Sequence, residues 1–511
     1  MSSPGSGPDR PDGLVPEQAP ADEAPPVEPL GRSAAAGTLW LTAAQWVMRL
    51  TGLITVAILT RLLTPEDFGV VAAAMTVTPF LLLLADLGLS TYVIQVKHAD
   101  QRLLSTAFWY SLSMAIALMA AIAVFAPVIA ALFNLPGAAP VLRGCSLAAG
   151  FIVLCSVPAA LLRREMKFRL LSLQWLFSAV IAQVVAIVLA VRGAGAWALV
   201  SQLVVAEAIS CVLCWKAAHW RPRFQFSKPE FFAMAKFGNK VVTVDLIVAM
   251  RPAAEAAIIS TVLGPAALGY LSIAQRLVQV MQDLGGKALV PVSTVVFAKV
   301  RESPERLQTA YVKALSIAYA AVSPLMTVVV VGGTLVVPLL FGQGWDESVP
   351  VAQALGLAAI LTLGAIIDQR LFYGTGKPGR WLAYAACFGA LEIAVTALVA
   401  HKGLNWVAIG FVFVALVATV VRWLLVGRLL GIRPRRLAAV FAAACAAVAG
   451  SAGAGLLALN LTAGWAQLWS LAAVIPAIGV VHLAIVRVVS PEVYRTVLAL
   501  VPRPRSADES T

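Results

Sequence analysis

Ionisable side chains inside long apolar runs are the residues of this chain equipped for chemistry. Arg49 lies about eleven residues into the run 38–62, near the middle of a bilayer if that run spans one. Arg251 lies at similar depth in the run 240–263, and Glu255 follows at a spacing that permits an i,i+4 ion pair. The run 266–298 carries the most. At about 100° per residue, Arg276, Gln279, Gln282, Asp283 and Lys287 fall within an arc of about 140°. Such a stripe is costly against lipid tails and belongs on a wet cavity. Cations there suit an anion, and arginine offers an oxyanion a planar, bidentate fork. The alternative for the stripe is a structural network between lobes, with Asp283 neutralising Lys287.

Other charges are weaker candidates. Asp245 shares a repeat register with Gln45, and Glu207 and Glu392 lie near midspan. Each is a candidate for titration during ion coupling, or for packing against a basic partner. Asp86, Asp368, Arg370 and Arg422 fall near span ends, where snorkelling to water suffices. His98, His219, His401 and His482 are scattered and build no metal site, and Cys211 with Cys214 forms a C-x-x-C that lacks a second ligand pair. No catalytic constellation and no G-x-x-x-x-G-K-[ST] loop is present, so neither an enzymatic site nor a cofactor is expected.

The elements that must hold these residues follow from composition. Of 511 residues, 60% are hydrophobic and 12% charged; a soluble domain carries about twice that charged share. Repeated apolar runs of about 20 residues read as membrane-spanning helices, and the alternating segments of a barrel are missing. The expectation is an all-α polytopic membrane protein of about fourteen transmembrane helices. The net charge of +13 does not point to nucleic acid, because it sits mainly in short loops between spans.

Lysine and arginine set the orientation. With the N-terminus inside, inner loops collect Arg163, Arg164, Lys167 and Arg169, then Lys216 to Lys240, then Arg428 to Arg436, while outer loops and span ends keep only Arg61, Arg143, Arg192 and Lys402. Both termini are then cytoplasmic. Residues 1–36, proline-rich and acidic, read as a disordered tail. A six-helix lobe is expected over 37–215, and a second over 240–430. The segment 216–239 between them contains "SKPEFFAMAKFG", in which Ser227 and Glu230 have capping-box spacing; it reads as an amphipathic helix lying on the inner leaflet. Two further spans over 431–487 and a cytoplasmic tail over 488–511 complete the chain.

The division into lobes rests on a repeat. Leu63, Pro65 and Gly69 in "LTRLLTPEDFGVV" recur as Leu263, Pro265 and Gly269 in "ISTVLGPAALGYL", 200 positions on. That offset maps the first two spans onto the seventh and eighth. An even-numbered unit preserves orientation, which makes the lobes parallel repeats about an axis along the membrane normal.

The stretches "RLLTPEDFGVVAAAMTV", "LADLGLSTYVIQ", "RREMKFR", "GPAALGYLSIAQRL" and "LFGQGWDESVPVAQAL" resemble the polysaccharide exporters of the multidrug/oligosaccharidyl-lipid/polysaccharide (MOP) flippase superfamily, in its colanic-acid-exporter-like branch. The resemblance runs from about residue 37 to 380 and implies two lobes, arranged as in the multidrug (MATE) members, around a V-shaped cavity. It also implies flipping of an undecaprenyl-pyrophosphate-linked repeat unit across the bacterial inner membrane, ahead of polymerase and export machinery. Under that reading Arg49, Arg251, Arg276, Gln279 and Lys287 line the cavity and meet the pyrophosphate. Asp245, Glu255, Asp283, Glu207 and Glu392 are then coupling or ion-pairing groups. Two alternatives remain at this point: a small-solute or multidrug antiporter of the same superfamily, and a membrane-embedded glycosyltransferase or polymerase of the same pathway. The basic stripe disfavours cationic drugs. The longest outer loop, "FGQGWDESVP" with Asp346 and Glu347, is short for an enzyme.

Overall fold

Every regular element follows from the apolar runs and the breakers between them. The computed structural model describes residues 47–96, 99–135, 137–286 and 303–500, and no strand occurs among them. The first half contains α1 (47–62), α2 (Pro65–Asp86), α3 (Leu89–Gln95), α4 (Gln101–Leu132), α5 (Ala138–Arg164), α6 (Phe168–Val191) and α7 (Ala196–Ala218). The second contains α8 (Lys228–Leu263), α9 (Pro265–Gly286), α10 (Pro304–Phe341), α11 (Ser348–Thr362), α12 (Ala365–Gly374), α13 (Pro378–Val399) and α14 (Leu404–Leu430). Then come α15 (Pro434–Leu461) and α16 (Gln467–Val489), which pack on each other and on α10, and the short α17 (Pro491–Leu500).

Twelve helices among the described residues are long and apolar enough to cross a membrane. The two other spans expected from the sequence are α1, whose beginning lies outside the described residues, and α9, whose polar stripe lowers its hydropathy. The acidic tail 1–36, Gln45 and Lys287 also lie outside the described residues.

Several boundaries differ from the expectation. The segment 228–239 is no separate interfacial helix. It is the first part of α8, continuous for 36 residues, or about 54 Å at 1.5 Å per residue. The Ser227–Glu230 capping box does not form. Met234 instead buries itself among Leu89, Val93, Leu103 and Phe108 of the first half. The stretch before it is strapped to α4: Trp109 Nε1 donates to the Arg223 carbonyl (2.8 Å), and the Ser227 amide donates to Thr106 Oγ1 (3.0 Å). The run 66–96 breaks at Leu87 and Gly88, both left-handed (φ 45° and 69°), and the run 351–373 breaks at Gly364. The expected tail 488–511 is partly helical, since α17 docks Val493 against Ile317 and Val486.

The repeated hairpins meet each other. Thr64 caps α2 through a formed capping box with Asp67, and Pro65 occupies its first turn. Helix α2 then crosses α9 at the repeated glycines. A Cβ on Gly69 would overlap the Pro265 carbonyl, and one on Gly269 would overlap the Pro65 carbonyl. The contact is self-complementary, as a local two-fold axis requires.

Candidate functional site

A cavity of about 1160 Å³ lies mainly in the second half, walled by α8, α9, α11, α13 and α14, with α1 of the first half along one side. The hairpin crossing lies past its Ser272 end. There Trp345, buried in the 342–347 loop, donates from Nε1 to the Thr60 carbonyl at 2.9 Å and meets Phe68 and Tyr270 edge-on. Arg61 Nη2 donates to the Leu339 carbonyl (2.9 Å), and Ser260 Oγ donates to the Phe133 carbonyl (2.6 Å), so both halves are bolted together at this end. The loop containing Asp346 and Glu347 is therefore packed into this junction through Trp345.

The α9 stripe faces the cavity: Gln275, Arg276, Gln279, Gln282 and Asp283 all line it. Arg49 of α1 reaches across to Asp283, its Nη2 lying 3.2 Å from the carboxylate and its Nη1 donating to the Asp283 carbonyl at 3.0 Å. This is a clamp between halves, and Asp283 is engaged by Arg49. Arg276 has no ion-pair partner among the described residues. Its guanidinium lies beside Gly52 of α1, where a Cβ would stand 3.8 Å from Nη2.

The opposite wall holds a second cluster. Arg251 Nη1 lies 3.0 Å from Glu255 Oε1 and 3.1 Å from Glu392 Oε2. Glu255 is buried, whereas 41% of the Arg251 side chain stays accessible, on the cavity side. The i,i+4 pair was legible in the sequence. The Glu392 contact, 141 positions away, had no local signal.

Glu207 and Asp245 do not join this cavity. With Asp86, Arg163 and Gln174 they line a separate space of about 510 Å³ between the first half and α8, near the Leu87–Gly88 break. Cys155 faces Cys211 and Cys214, and no His/Cys/Asp/Glu group among the described residues could hold a metal.

Asp368 and Arg422 do not snorkel. They form a fully buried ion pair (2.7 Å) to which Tyr311 donates its hydroxyl. Arg422 Nη1 and Nη2 also donate to the Thr362 and Leu361 carbonyls, at 3.2 and 3.4 Å. Those carbonyls lose helical partners where α11 breaks into α12. Position near a span end said nothing about which way these side chains point.

Residues 58–350 match the sequence profile of a family described as "Polysaccharide biosynthesis protein". The chain belongs to that family. Among its curated relatives is the succinoglycan biosynthesis transport protein ExoT of Rhizobium meliloti (strain 1021), 28% identical over 69% of this chain and 71% of that protein. Another is the lipopolysaccharide biosynthesis protein WzxC of Escherichia coli (strain K12), 23% identical over 64% and 66%. The fold is shared with the lipid II flippase MurJ in an inward closed conformation, with a TM-score of 0.72 at 15% identity over 90% of this chain and 100% of that one. It is shared also with an inward-facing multidrug resistance MATE family transporter of the MOP superfamily, with a TM-score of 0.62 at 17% identity over 77% and 98%. The resemblance read from the sequence thus stands, and ExoT is named as a transport protein.

Proposed function

We propose that this protein flips an undecaprenyl-pyrophosphate-linked oligosaccharide repeat unit from the inner to the outer leaflet of the bacterial inner membrane, by alternating access between its two lobes (37–215 and 240–430). The observation that carries the reading is the cavity. Three arginines, Arg49, Arg251 and Arg276, reach it from both halves, and Arg276 has no carboxylate partner among the described residues. A pyrophosphate leaving water needs replacement donors, and guanidinium groups in a low-dielectric cavity supply them. The names of ExoT, WzxC and MurJ, which refer to succinoglycan transport, lipopolysaccharide biosynthesis and lipid II, support a lipid-linked glycan as cargo.

With the basic loops and both termini on the cytoplasmic side, the cavity opens inward and the Gly69–Gly269 crossing is the closed outer gate. A polymerase and export machinery would consume the flipped unit. The test is a lipid extract from cells lacking the gene. The expected result is accumulation of a pyrophosphate-linked oligosaccharide lipid in the inner leaflet and loss of exported polymer, both restored by the gene. Unchanged lipid and polymer would overturn the reading.

A further inference from the structure

The Arg251 cluster carries an excess of negative charge on a transporter wall built for an anion. Glu255 Oε1 and Glu392 Oε2 both lie about 3 Å from one nitrogen, Nη1, so these two oxygens are no more than about 6 Å apart. Two carboxylates share one guanidinium, and the cluster is −1 when both are ionised. Among the described residues, Nη2 and Nε of Arg251 make no hydrogen bond to protein, which leaves the other edge of its fork for a ligand. The remaining ionisable groups on the cavity wall are Arg276 of α9, Tyr384 of α13 and the Arg49–Asp283 pair joining α1 to α9; α14 presents Phe411, Val414, Ala415 and Ala418.

A pyrophosphate seated on the open edge of Arg251 would bring about two further negative charges against the pair of carboxylates. Like charges this close in a membrane interior do not all stay ionised, and a carboxylate pair relieves the strain by sharing one proton. We propose that Glu255 and Glu392 form a proton-binding pair, and that binding of an anionic substrate at Arg251 is coupled to uptake of one proton by it. The proton comes from cavity water and is held between the two carboxylates; no covalent bond changes. Linkage is reciprocal, so a protonated pair also strengthens anion binding. The cluster adjoins Pro252, where α8 lacks the amide that would bond the Val248 carbonyl, so the change of charge falls at a natural flexing point of the helix.

The inference rests on the flippase reading, and the experiment separates the two. Full-length protein in lipid nanodiscs is titrated calorimetrically with farnesyl pyrophosphate in two buffers of different ionisation enthalpy, which counts protons taken up per ligand bound. The wild type is expected to take up about one proton more than the double variant Glu255→Gln/Glu392→Gln, which subtracts protonation of the ligand itself. Should the double variant not fold, Glu392→Gln alone is expected to take up less than the wild type. Equal uptake by wild type and variant overturns the coupling while leaving the flippase reading intact. Failure of the wild type to bind farnesyl pyrophosphate overturns both.

Discussion

Arg422 and Asp368 are where a residue-level account is most exposed to test. Burying both charges is costly, and Tyr311 and the Leu361 and Thr362 carbonyls offset part of that cost with further hydrogen bonds. Asp368→Asn leaves the Arg422 charge uncompensated and is expected to destabilise the protein by about 3–5 kcal/mol, seen as lost yield and a lower unfolding temperature. An Asp368→Leu/Arg422→Met double variant should recover most of that stability; no recovery would mean that the break at Gly364 needs the charges themselves. The contrast with Arg49 and Arg276 shows what the sequence could reveal. Depth along a helix is countable from residue numbers, so the arginines at midspan were recognisable. The direction of a side chain near a span end depends on a neighbour far away in sequence, so Arg422 was misread, and Glu392 could not be tied to Arg251.

At the scale of elements, periodicity and breakers located the helices, and the repeat marked the glycines at which α2 and α9 cross, although the crossing itself had no signal in the sequence. What stayed hidden were continuities and breaks decided by tertiary contact. Helix α8 starts as early as residue 228 because Met234 finds a pocket in the other half, and α2 ends at Leu87, a residue with no intrinsic preference for a left-handed turn. The crossing itself makes a sharp prediction. Gly269→Ala places a Cβ against the Pro65 carbonyl, where backbone cannot yield cheaply, and should hold the outer ends of the lobes apart. In a background without native cysteines, a cysteine at Ser272 on the cavity wall should then react faster with an impermeant thiol reagent added outside. Unchanged reactivity would show that this contact does not close the outer end.

For the whole molecule, the two halves share one hairpin design, and a cavity walled by five helices of the second half and by α1 of the first takes Arg49 from one and Arg251 and Arg276 from the other. Arg276 is the cleanest probe of that arrangement, since Arg49 is tied to Asp283 and Arg251 to two glutamates, so changing either also strands a carboxylate. The most direct measurement is exported polymer per unit of inserted protein, in a strain lacking the native gene and carrying Arg276→Lys, Arg276→Ala or Arg276→Glu. Export is expected to fall in that order. Lysine keeps charge but loses the bidentate fork and retains part of the activity; alanine loses more, and glutamate nearly all, with protein abundance unchanged. Full export by Arg276→Glu would contradict an anionic headgroup passing through this cavity.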